Sequence, residues 1–578
     1  MFSQGILATL ALSVRMKDES EALMFTIQSR PSVRLGLLVG ALLAPAVIAL
    51  FFLGERVSGL PFLPFDAFDA LARLLPGAVI TFGIDTMVSV LTFLGFGANL
   101  DTVAKTAEHV MGIVMFGALL VALAVVVFVW LNRTQARYER VTLTASLWGI
   151  LWGVAFVALS AWINRSATAE PILRVAWVLL LMGGWGMVLG NAYQALSRLA
   201  SADMPKAEVT QIDRRQFLVG LGGMTAFITL AGAGLAELLR FSDAGEGGLS
   251  VGSADEVIRD GAGNLMPNHA DPLLPARGTR REYTPVDNHY RIDISSLPPT
   301  IDGESYALPL RGAVQNPQEL TLADIRALPS VEAFITMSCI SNRVGGNLIG
   351  TTKWTGVPMQ TLLELVQPTA DAVAVKIKGA DDFDEYLTLE QIRNDERIIL
   401  AYAWDDAPLP VKNGFPLRVH IPDRYGMKQP KWITDMEFVT ELGEGYWVRR
   451  GWSKEAIVRA TSVVDTIARD DIYKRGGRYY VPMGGIAWSG AKGISKVEVR
   501  VNEGEWQPAR LRSPLSERTW VIWRYDWEFA PGRQTVEVRC YDNEGNLQTM
   551  EDNPPRPDGA TGTHNKSAVL REEDLAGL

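Results

Sequence analysis

The chain has 578 residues, enough for roughly three or four domains at about 150 residues each. Its net charge of -9, with no Lys/Arg cluster that could form a stripe of phosphate contacts, argues against a nucleic-acid partner. Two cysteines are too few for a disulfide framework or a four-cysteine cluster. The mean hydropathy of +0.11 combines an apolar half, residues 35–240, with a half of ordinary soluble composition. The composition therefore predicts a membrane domain followed by a water-soluble one.

Long apolar runs dominate the first half. A bilayer core takes about 20 helical residues to cross, and a sixth run, 76–97, is left open because it carries Asp85 and several glycines. The membrane domain, residues 35–240, is therefore expected to hold five or six apolar helices. The predicted spans are roughly 35–53, 109–131, 142–163, 173–194 and 216–238.

Basic residues set the orientation of these helices, because Lys and Arg prefer the cytoplasmic side. They concentrate before the first span, after the span at 109–131 and before the last span. All three clusters can lie inside only if 76–97 does not fully cross. If it does cross, the N-terminus is forced outside, and in either case the last helix starts inside. We therefore expect a cytoplasmic segment 1–34 and an extracytoplasmic chain after residue 240.

The stretch Asp213-Arg-Arg-Gln-Phe-Leu-Val, ahead of the last apolar segment, resembles a twin-arginine export signal placed internally. The alternative is that its two arginines only anchor a helix end at the lipid headgroups. An export signal of this kind suits a chain that acquires a complex cofactor in the cytoplasm and crosses the membrane already folded.

The soluble half begins with residues 241–282, which are rich in Gly, Asp, Pro and Asn and are predicted to be a linker. From Tyr283 a mixed α+β domain is predicted over 283–470, with a strand at 306–314, a capped helix at 320–328 and a helix at 359–366. Strand-like runs separated by turns then predict an immunoglobulin-like β-sandwich over 471–578. These runs begin at Ser495, Thr519 and Gln534.

Cys339 lies where an apolar run gives way to polar, glycine-rich chain. A thiolate at a strand end, followed by Asn342, Arg343 and the pair Gly345-Gly346, has what a soft metal and an anionic cofactor need together. A lone cysteine is otherwise a small buried hydrophobe. That structural role is the one we expect for Cys540, which lies inside an alternating strand.

Several ordered sequence blocks occur between residues 283 and 565. The earlier blocks are Thr284-Pro-Val-Asp-Asn-His-Tyr, Ser338-Cys-Ile-Ser-Asn-Arg, Lys353-Trp-Thr-Gly-Val-Pro, Asn413-Gly-Phe-Pro-Leu-Arg-Val-His-Ile-Pro and Tyr425-Gly-Met-Lys-Gln-Pro-Lys-Trp. The final blocks are Gly485-Ile-Ala-Trp-Ser-Gly, Val497-Glu-Val-Arg-Val-Asn and Arg539-Cys-Tyr-Asp. Together these blocks resemble the sulfite oxidase family of molybdopterin-dependent oxidoreductases, and the final ones are similar to the family's C-terminal sandwich.

The resemblance implies a molybdenum ion held by the Cys339 thiolate, two sulfurs of a pyranopterin dithiolene and terminal oxygens. Soft sulfur donors let such a metal move between oxidation levels, while the protein supplies placement and charge. The implied catalytic residues are Cys339 and Arg343. The implied cofactor-binding residues are Asn288, Tyr290, Arg291, Cys339, Asn342, Asn413, Arg418, Lys428 and Lys431.

The activity that the resemblance implies is two-electron oxygen-atom transfer, on sulfite or a related small oxyanion or sulfur compound. Sulfite-oxidising members have a second arginine after the Asn-Arg of the cysteine block, whereas this chain has Val344. A sulfite dianion needs several positive donors, and fewer are visible here. One alternative is reduction of sulfoxides such as methionine sulfoxide, as in the bacterial periplasmic branch. Another, from a different class, is a cofactor-free membrane-anchored scaffold.

The electron route is predicted from features that the sequence lacks. Of five histidines only His109 lies in the membrane half, no Cys-x-x-Cys-His occurs, and two cysteines cannot ligate an iron–sulfur cluster. Molybdenum is therefore predicted as the only redox centre, and electrons pass to or from a separate cytochrome or haem-bearing membrane subunit. A small-molecule substrate and membrane lipid are the other expected partners, and a homodimer is left open.

Overall fold

The computed structural model describes residues 30–77, 100–134, 140–164, 166–198, 214–238 and 258–576, with scattered residues from 79 to 90. Contacts divide the chain into two units. The first is Met1–Leu74 with Glu108–Ala244, and the second is Leu75–Ala107 with Gly245–Leu578. Residues 1–29, Asp85, Asp213 and the first part of the predicted linker lie outside the described residues.

The first unit is helical. Five helices among the described residues are long and apolar enough to cross a membrane by length and composition, and each coincides with a predicted span. No such helix occurs among the described residues of segment 76–97. The helices are α1 (Val33–Ser58), α2 (Leu63–Leu74), α3 (Leu100–Thr134), α4 (Val141–Ile163), α5 (Pro171–Arg198) and α6 (Arg214–Leu238).

Glycines let α4 and α5 approach closely. A Cβ added to Gly149 would collide with the backbone oxygen of Met182, and one added to Gly186 would collide with that of Ala145. Small residues serve the same purpose in helix pairs within membranes. The short helix α2 is joined to the end of α4 by a buried carboxylate, because Asp66 accepts a hydrogen bond of 2.6 Å from the Ser160 hydroxyl.

The second unit begins with a mixed α+β region. Its helix α7 starts with a capping box between Thr321 and Asp324, and the helices predicted at 320–328 and 359–366 are both present. In chain order the elements are β1 (Ala307–Gly312), β2 (Gln318–Thr321), α7 (Leu322–Ala327), β3 (Val331–Ser338), β4 (Ile349–Pro358), α8 (Met359–Val366), β5 (Ala374–Gly379), β6 (Asp384–Thr388), α9 (Leu389–Asn394), β7 (Ile399–Trp404), β8 (Ala407–Pro408), β9 (Arg418–His420) and β10 (Ile433–Val439).

These strands form two sheets. One has the order β2-β1-β10-β5-β6, and the apolar sides of α7, α8 and α9 pack into the core beside it. The other has the order β3-β4-β7-β8, with β9 paired to β7. In this second sheet Ser338 pairs with Ile349, so residues 339–348 form the loop of a β3–β4 hairpin. The hairpin loop therefore carries Cys339, and β9 begins at Arg418.

Two antiparallel sheets follow and share one apolar core, which contains Val497, Trp523 and Val538. The strands predicted to begin near Ser495, Thr519 and Gln534 correspond to β14 (Ile494–Val501), β17 (Val521–Glu528) and β18 (Gly532–Asp542). The boundary predicted at 471 falls inside one sheet, because β11 (Thr461–Ile467) pairs with β13 (Arg478–Trp488). The strands are β11 (Thr461–Ile467), β12 (Tyr473–Arg475), β13 (Arg478–Trp488), β14 (Ile494–Val501), β15 (Gln507–Pro508), β16 (Arg510–Leu511), β17 (Val521–Glu528), β18 (Gly532–Asp542) and β19 (His564–Leu570).

Residues 258–282, the end of the predicted linker, pack against these C-terminal sheets. The Glu282 carboxylate is buried and accepts a hydrogen bond of 2.9 Å from Nε of the buried Arg512. The Asn268 amide donates to the other Glu282 oxygen at 2.6 Å. This part of the chain lacks regular secondary structure but belongs to the packed second unit.

Candidate active site

Cys339 follows β3 directly, and its backbone N–H donates to the Leu348 carbonyl at 2.9 Å, which closes the hairpin loop. The side chain is only 7% exposed and packs in one cluster with Tyr290 and Met337. Its Sγ lies 3.0 Å from the Ser341 hydroxyl oxygen. Burial raises the pKa of the Cys339 thiol, while Ser341 and the charge of Lys431 oppose that rise. The strand end thus presents one buried sulfur beside a lysine.

Arg418 is buried at the start of β9, and no acid in the described ranges neutralises it. Its guanidinium donates to the Asn413 carbonyl at 3.0 Å and lies 4.7 Å from the ring centre of Trp354 and 5.0 Å from that of Trp404. Within the described part of the chain no carboxylate forms an ion pair with it, and its Nε has no hydrogen-bond partner. Burial lowers the pKa of Arg418 to about 10. A buried cation without an ion pair is available to bind an anionic ligand or a strong hydrogen-bond acceptor.

Asn413 lies beside Arg418 at the end of the 3₁₀ turn Val411–Asn413. Its side chain is 3% exposed, and among the described residues nothing donates to its buried Oδ1. Buried amide oxygens are nearly always hydrogen-bonded in folded proteins. The next residue, Gly414, has a φ of +123° and packs against the side chain of Lys431. Asn413 therefore offers an acceptor next to two cations.

Lys431 is held by backbone and acid together. Its Nζ donates to the Ile292 carbonyl at 3.2 Å and lies 3.4 Å from the buried carboxylate of Asp293. Asp293 also pairs with Arg291 at 2.6 Å, so one acid is shared by two cations. Burial lowers the pKa of Lys431 to about 8, against the attraction of Asp293 and with the repulsion of Arg418. The group places two cations around one shared acid.

Tyr290 lies near both the Cys339 sulfur and the Arg418 guanidinium. Burial and the charge of Cys339 raise the pKa of Tyr290 far above its ordinary value, and the charge of Arg418 opposes that rise. Gly426 allows this arrangement, because a Cβ there would lie 2.9 Å from the Tyr290 hydroxyl oxygen. The structure therefore brings together six of the predicted residues: Tyr290, Arg291, Cys339, Asn413, Arg418 and Lys431.

The other predicted residues have different surroundings. The Asn342 side chain accepts from the Leu348 N–H at 3.0 Å and so braces the hairpin loop. Lys428 forms an ion pair of 2.8 Å with the buried Glu385. Arg343 is exposed, and Asn288 is half-buried at the end of a 3₁₀ turn.

Sequence reasoning assigned no role to several side chains at this site. Ser341 contacts the sulfur, Asp293 pairs with both Arg291 and Lys431, and the rings of Trp354 and Trp404 enclose Arg418. The spacing of Arg291 and Asp293, two residues apart in an extended segment, could have indicated the first of these ion pairs, since alternate residues of extended chain point the same way. No local signal predicts the pairing of Asp293 with Lys431.

Comparison with known proteins finds similarity in the same region of the chain. A family profile described as "Oxidoreductase molybdopterin binding domain" matches residues 295–447. Sulfite oxidase of Arabidopsis thaliana is 26% identical over 324 residues, which cover 46% of this chain and 82% of that protein. Human mitochondrial sulfite oxidase is 26% identical over 337 residues, with coverages of 50% and 61%. The chain belongs to the sulfite oxidase family of molybdopterin-dependent oxidoreductases.

Two further similarities complete the comparison. The putative protein-methionine-sulfoxide reductase subunit YedZ1 of Azospira oryzae is 30% identical over 190 residues, covering 32% of this chain and 68% of that protein. The crystal structure of the sulfane dehydrogenase SoxCD from Paracoccus pantotrophus gives a TM-score of 0.44 at 18% identity, over 50% of this chain and 83% of that one.

Membership of the sulfite oxidase family makes the chain a molybdenum-dependent oxidoreductase, with molybdopterin as the cofactor. The residues present fit that group. Asn413 Oδ1 and Arg418 Nε are buried without hydrogen-bond partners among the described residues, and Lys431 adds a second cation. No set of three or more His, Cys, Asp or Glu side chains among the described residues is placed to hold a metal ion by itself.

Proposed function

We propose that this protein is a membrane-anchored oxidoreductase that catalyses two-electron oxygen-atom transfer on sulfite or a related small oxyanion or sulfur compound. The observation that carries the proposal is the grouping of one buried sulfur, Cys339, with buried cations that lack full neutralisation, Arg418 and Lys431. A dithiolene-bearing cofactor with a phosphate needs a sulfur-donor metal site and positive charge in the same cavity.

Each side chain has a distinct task in this proposal. Cys339 binds the metal, Arg418 and Asn413 hydrogen-bond the pterin, and Lys431 binds the phosphate end. Tyr290 lies between the sulfur and Arg418, and Arg291 acts through Asp293, which holds Lys431 in place. When bound, the cofactor supplies the metal that exchanges two electrons and an oxygen atom with substrate.

Other predicted residues take supporting roles. Asn342 fixes the loop that carries Cys339, and Asn288 lies one residue before the buried His289. Lys428 holds the turn Gly426–Lys428 through its ion pair with Glu385. Arg343, exposed on the cysteine loop, attracts anionic substrate at the entrance.

The arrangement in the membrane follows from the helices and their charges. Five spans would leave the two ends of the membrane domain on opposite sides, and the basic clusters favour a cytoplasmic N-terminus. The catalytic domain is then extracytoplasmic, delivered through the twin-arginine-like segment, and the two C-terminal sheets form an immunoglobulin-like sandwich.

Electrons leave or enter through a separate partner, a cytochrome or a haem-bearing membrane subunit. The helices contact lipid and provide the anchor, and the C-terminal sheets are the candidate surface for a homodimer.

Sulfoxide reduction is the second candidate. It is favoured by the similarity to a protein named as a subunit of a methionine-sulfoxide reductase. Val344, which follows Arg343 in the cysteine loop, also leaves fewer cations for a doubly charged substrate.

Assays of the purified full-length chain separate these candidates. We expect turnover with sulfite and a cytochrome acceptor, in a preparation that contains about one molybdenum per chain. Turnover only with methionine sulfoxide and a reduced viologen dye would replace sulfite oxidation by the second candidate. A clean preparation without molybdenum, inactive in both assays, would contradict the proposal.

A further inference from the structure

Ser341 contacts the sulfur of Cys339 from within a tight turn. The Asn342 N–H donates to the Cys339 carbonyl at 3.1 Å, so residues 339–342 form a turn in which Ser341 is the third residue. The Ser341 hydroxyl oxygen lies 3.0 Å from Sγ. Short polar side chains often accept hydrogen bonds from backbone two residues further on in such turns. Here the accepting side chain is that of Cys339, and its sulfur also contacts the Ser341 hydroxyl.

The direction of this hydrogen bond follows from the state of the sulfur. The thiolate is the form of cysteine that binds a metal, and it has no proton to donate. The Ser341 hydroxyl must therefore be the donor whenever Cys339 is a ligand. Hydrogen bonds to an ionised acceptor are shorter and about twice as strong as neutral ones.

The hydroxyl of Ser341 is not needed to hold the loop. Within the described part of the chain its only hydrogen bond is the one to Sγ. The loop is closed instead by the backbone bond between Cys339 and Leu348 and by the Asn342 side chain. The adjacent hydroxyl of Ser338 bonds to the Cys339 and Leu348 carbonyls at 3.2 Å each and makes no contact with the sulfur.

We propose that Ser341 is a positioning residue that donates a hydrogen bond to the Cys339 sulfur and so raises the reduction potential of the metal that this sulfur holds. The inference rests on the proposed function, in which Cys339 is the metal ligand. A hydrogen bond to a ligand sulfur withdraws electron density, makes the sulfur a weaker donor and stabilises the reduced metal.

The test is a redox titration of the full-length protein followed by the electron paramagnetic resonance signal of Mo(V), with molybdenum content measured on the same samples. Four proteins are compared: the wild type, Ser341→Ala, Ser341→Thr and Ser338→Ala. Ser341→Thr keeps the hydroxyl. Ser338→Ala is the matched control, since it removes a neighbouring hydroxyl that does not contact the sulfur.

We expect Ser341→Ala to retain molybdenum and to shift the Mo(V) titration to lower potential. The expected size is about a tenfold change in the ratio of oxidised to reduced metal at a fixed potential, or about 59 mV for a one-electron couple. Ser341→Thr should titrate like the wild type, and Ser338→Ala should not shift.

Three outcomes would overturn the inference: no shift in Ser341→Ala, an equal shift in Ser338→Ala, or loss of metal in Ser341→Ala while Ser338→Ala keeps it. The last result would assign Ser341 to retaining the metal instead of adjusting its potential. These outcomes are distinct from failure of the proposed function. That failure would appear as a Cys339→Ser protein with the molybdenum content and Mo(V) signal of the wild type.

Discussion

Two buried arginines of the second unit have opposite surroundings. Arg512, 1% exposed, donates to the Glu282 carboxylate at 2.9 Å and to three backbone carbonyls. Arg418, 3% exposed, has one carbonyl, one thioether and two tryptophan rings around it, and its Nε has no partner in the described part of the chain.

The difference distinguishes an arginine that stabilises the fold from an arginine that binds a ligand. A buried ion pair with its remaining donors satisfied offsets the cost of desolvation within the protein itself. An unpaired buried cation leaves that cost uncompensated until an anion or strong acceptor arrives. We therefore assign Arg512 to holding residues 258–282 on the C-terminal sheets and Arg418 to holding the cofactor.

The largest effect is expected from Arg512→Met, which leaves the Glu282 carboxylate buried and unpaired. Breaking a buried ion pair costs about 3–5 kcal/mol, so the free energy of unfolding should fall by about that amount in urea denaturation. The control is Arg510→Met, since Arg510 pairs with Asp526 on the surface with 60% of its side chain exposed. Equal losses in the two variants would contradict the assignment of Arg512.

Arg418→Met should act on the cofactor and spare the fold. Losing hydrogen bonds from a charged donor costs about 1.5–3 kcal/mol, which corresponds to cofactor binding weakened about ten- to hundredfold. The unfolding free energy of the cofactor-free protein should stay constant or rise, because an unpaired buried charge is removed.

The weakened cofactor binding is measured as the molybdenum content that remains after dialysis. The unfolding free energy of the cofactor-free protein is measured by urea denaturation. Arg311→Met is the control, because Arg311 is half exposed and pairs with Asp435 on the surface. If the cofactor-free Arg418→Met protein unfolded far more easily than the wild type, Arg418 would have a structural role like that of Arg512.

Cofactor retention should also depend on pH. Burial lowers the pKa of Lys431 to about 8 in the protein without a bound anion. A phosphate group binds the protonated lysine, so binding above this pH takes up a proton and weakens by up to about tenfold per pH unit. Retention should therefore be full at pH 7 and lower at pH 9. Lys431→Gln should be weak at both pH values; a wild-type decline that persists unchanged in this variant would assign the effect to another group.

The smallest effect is expected from Arg343→Ala. Arg343 is exposed, and exposed substitutions away from special features change unfolding by about 0.5 kcal/mol or less. Molybdenum content should equal that of the wild type, while kcat/KM for sulfite should fall a few-fold and lose part of its salt dependence. A large loss of molybdenum would show that Arg343 belongs with Arg418.

Local sequence patterns predicted much of the fold. The capping residues Thr321 and Asp324 predicted a helix that the structure contains, and the change from apolar to glycine-rich chain correctly placed Cys339 at a strand end. Long apolar runs likewise predicted the five long helices, because hydrophobic length is a property of the sequence alone.

Other features depend on partners distant in sequence. Nothing near Lys428 indicates its ion pair with Glu385, and nothing near Arg418 indicates that no described acid forms an ion pair with it. The composition of residues 241–282 predicted a linker, whereas Glu282 at its end pairs with Arg512, which another part of the chain contributes. Tertiary pairing decides whether a charged residue is structural, ligand-binding or exposed, and residue type alone does not.

The central claim is that one protein sulfur, that of Cys339, binds the molybdenum. X-ray absorption at the molybdenum edge counts sulfur neighbours directly, and any molybdenum retained by Cys339→Ser should show one sulfur fewer than the wild type, because a hydroxyl is a harder and weaker donor. The same sulfur count and the same metal content in both proteins would contradict the account.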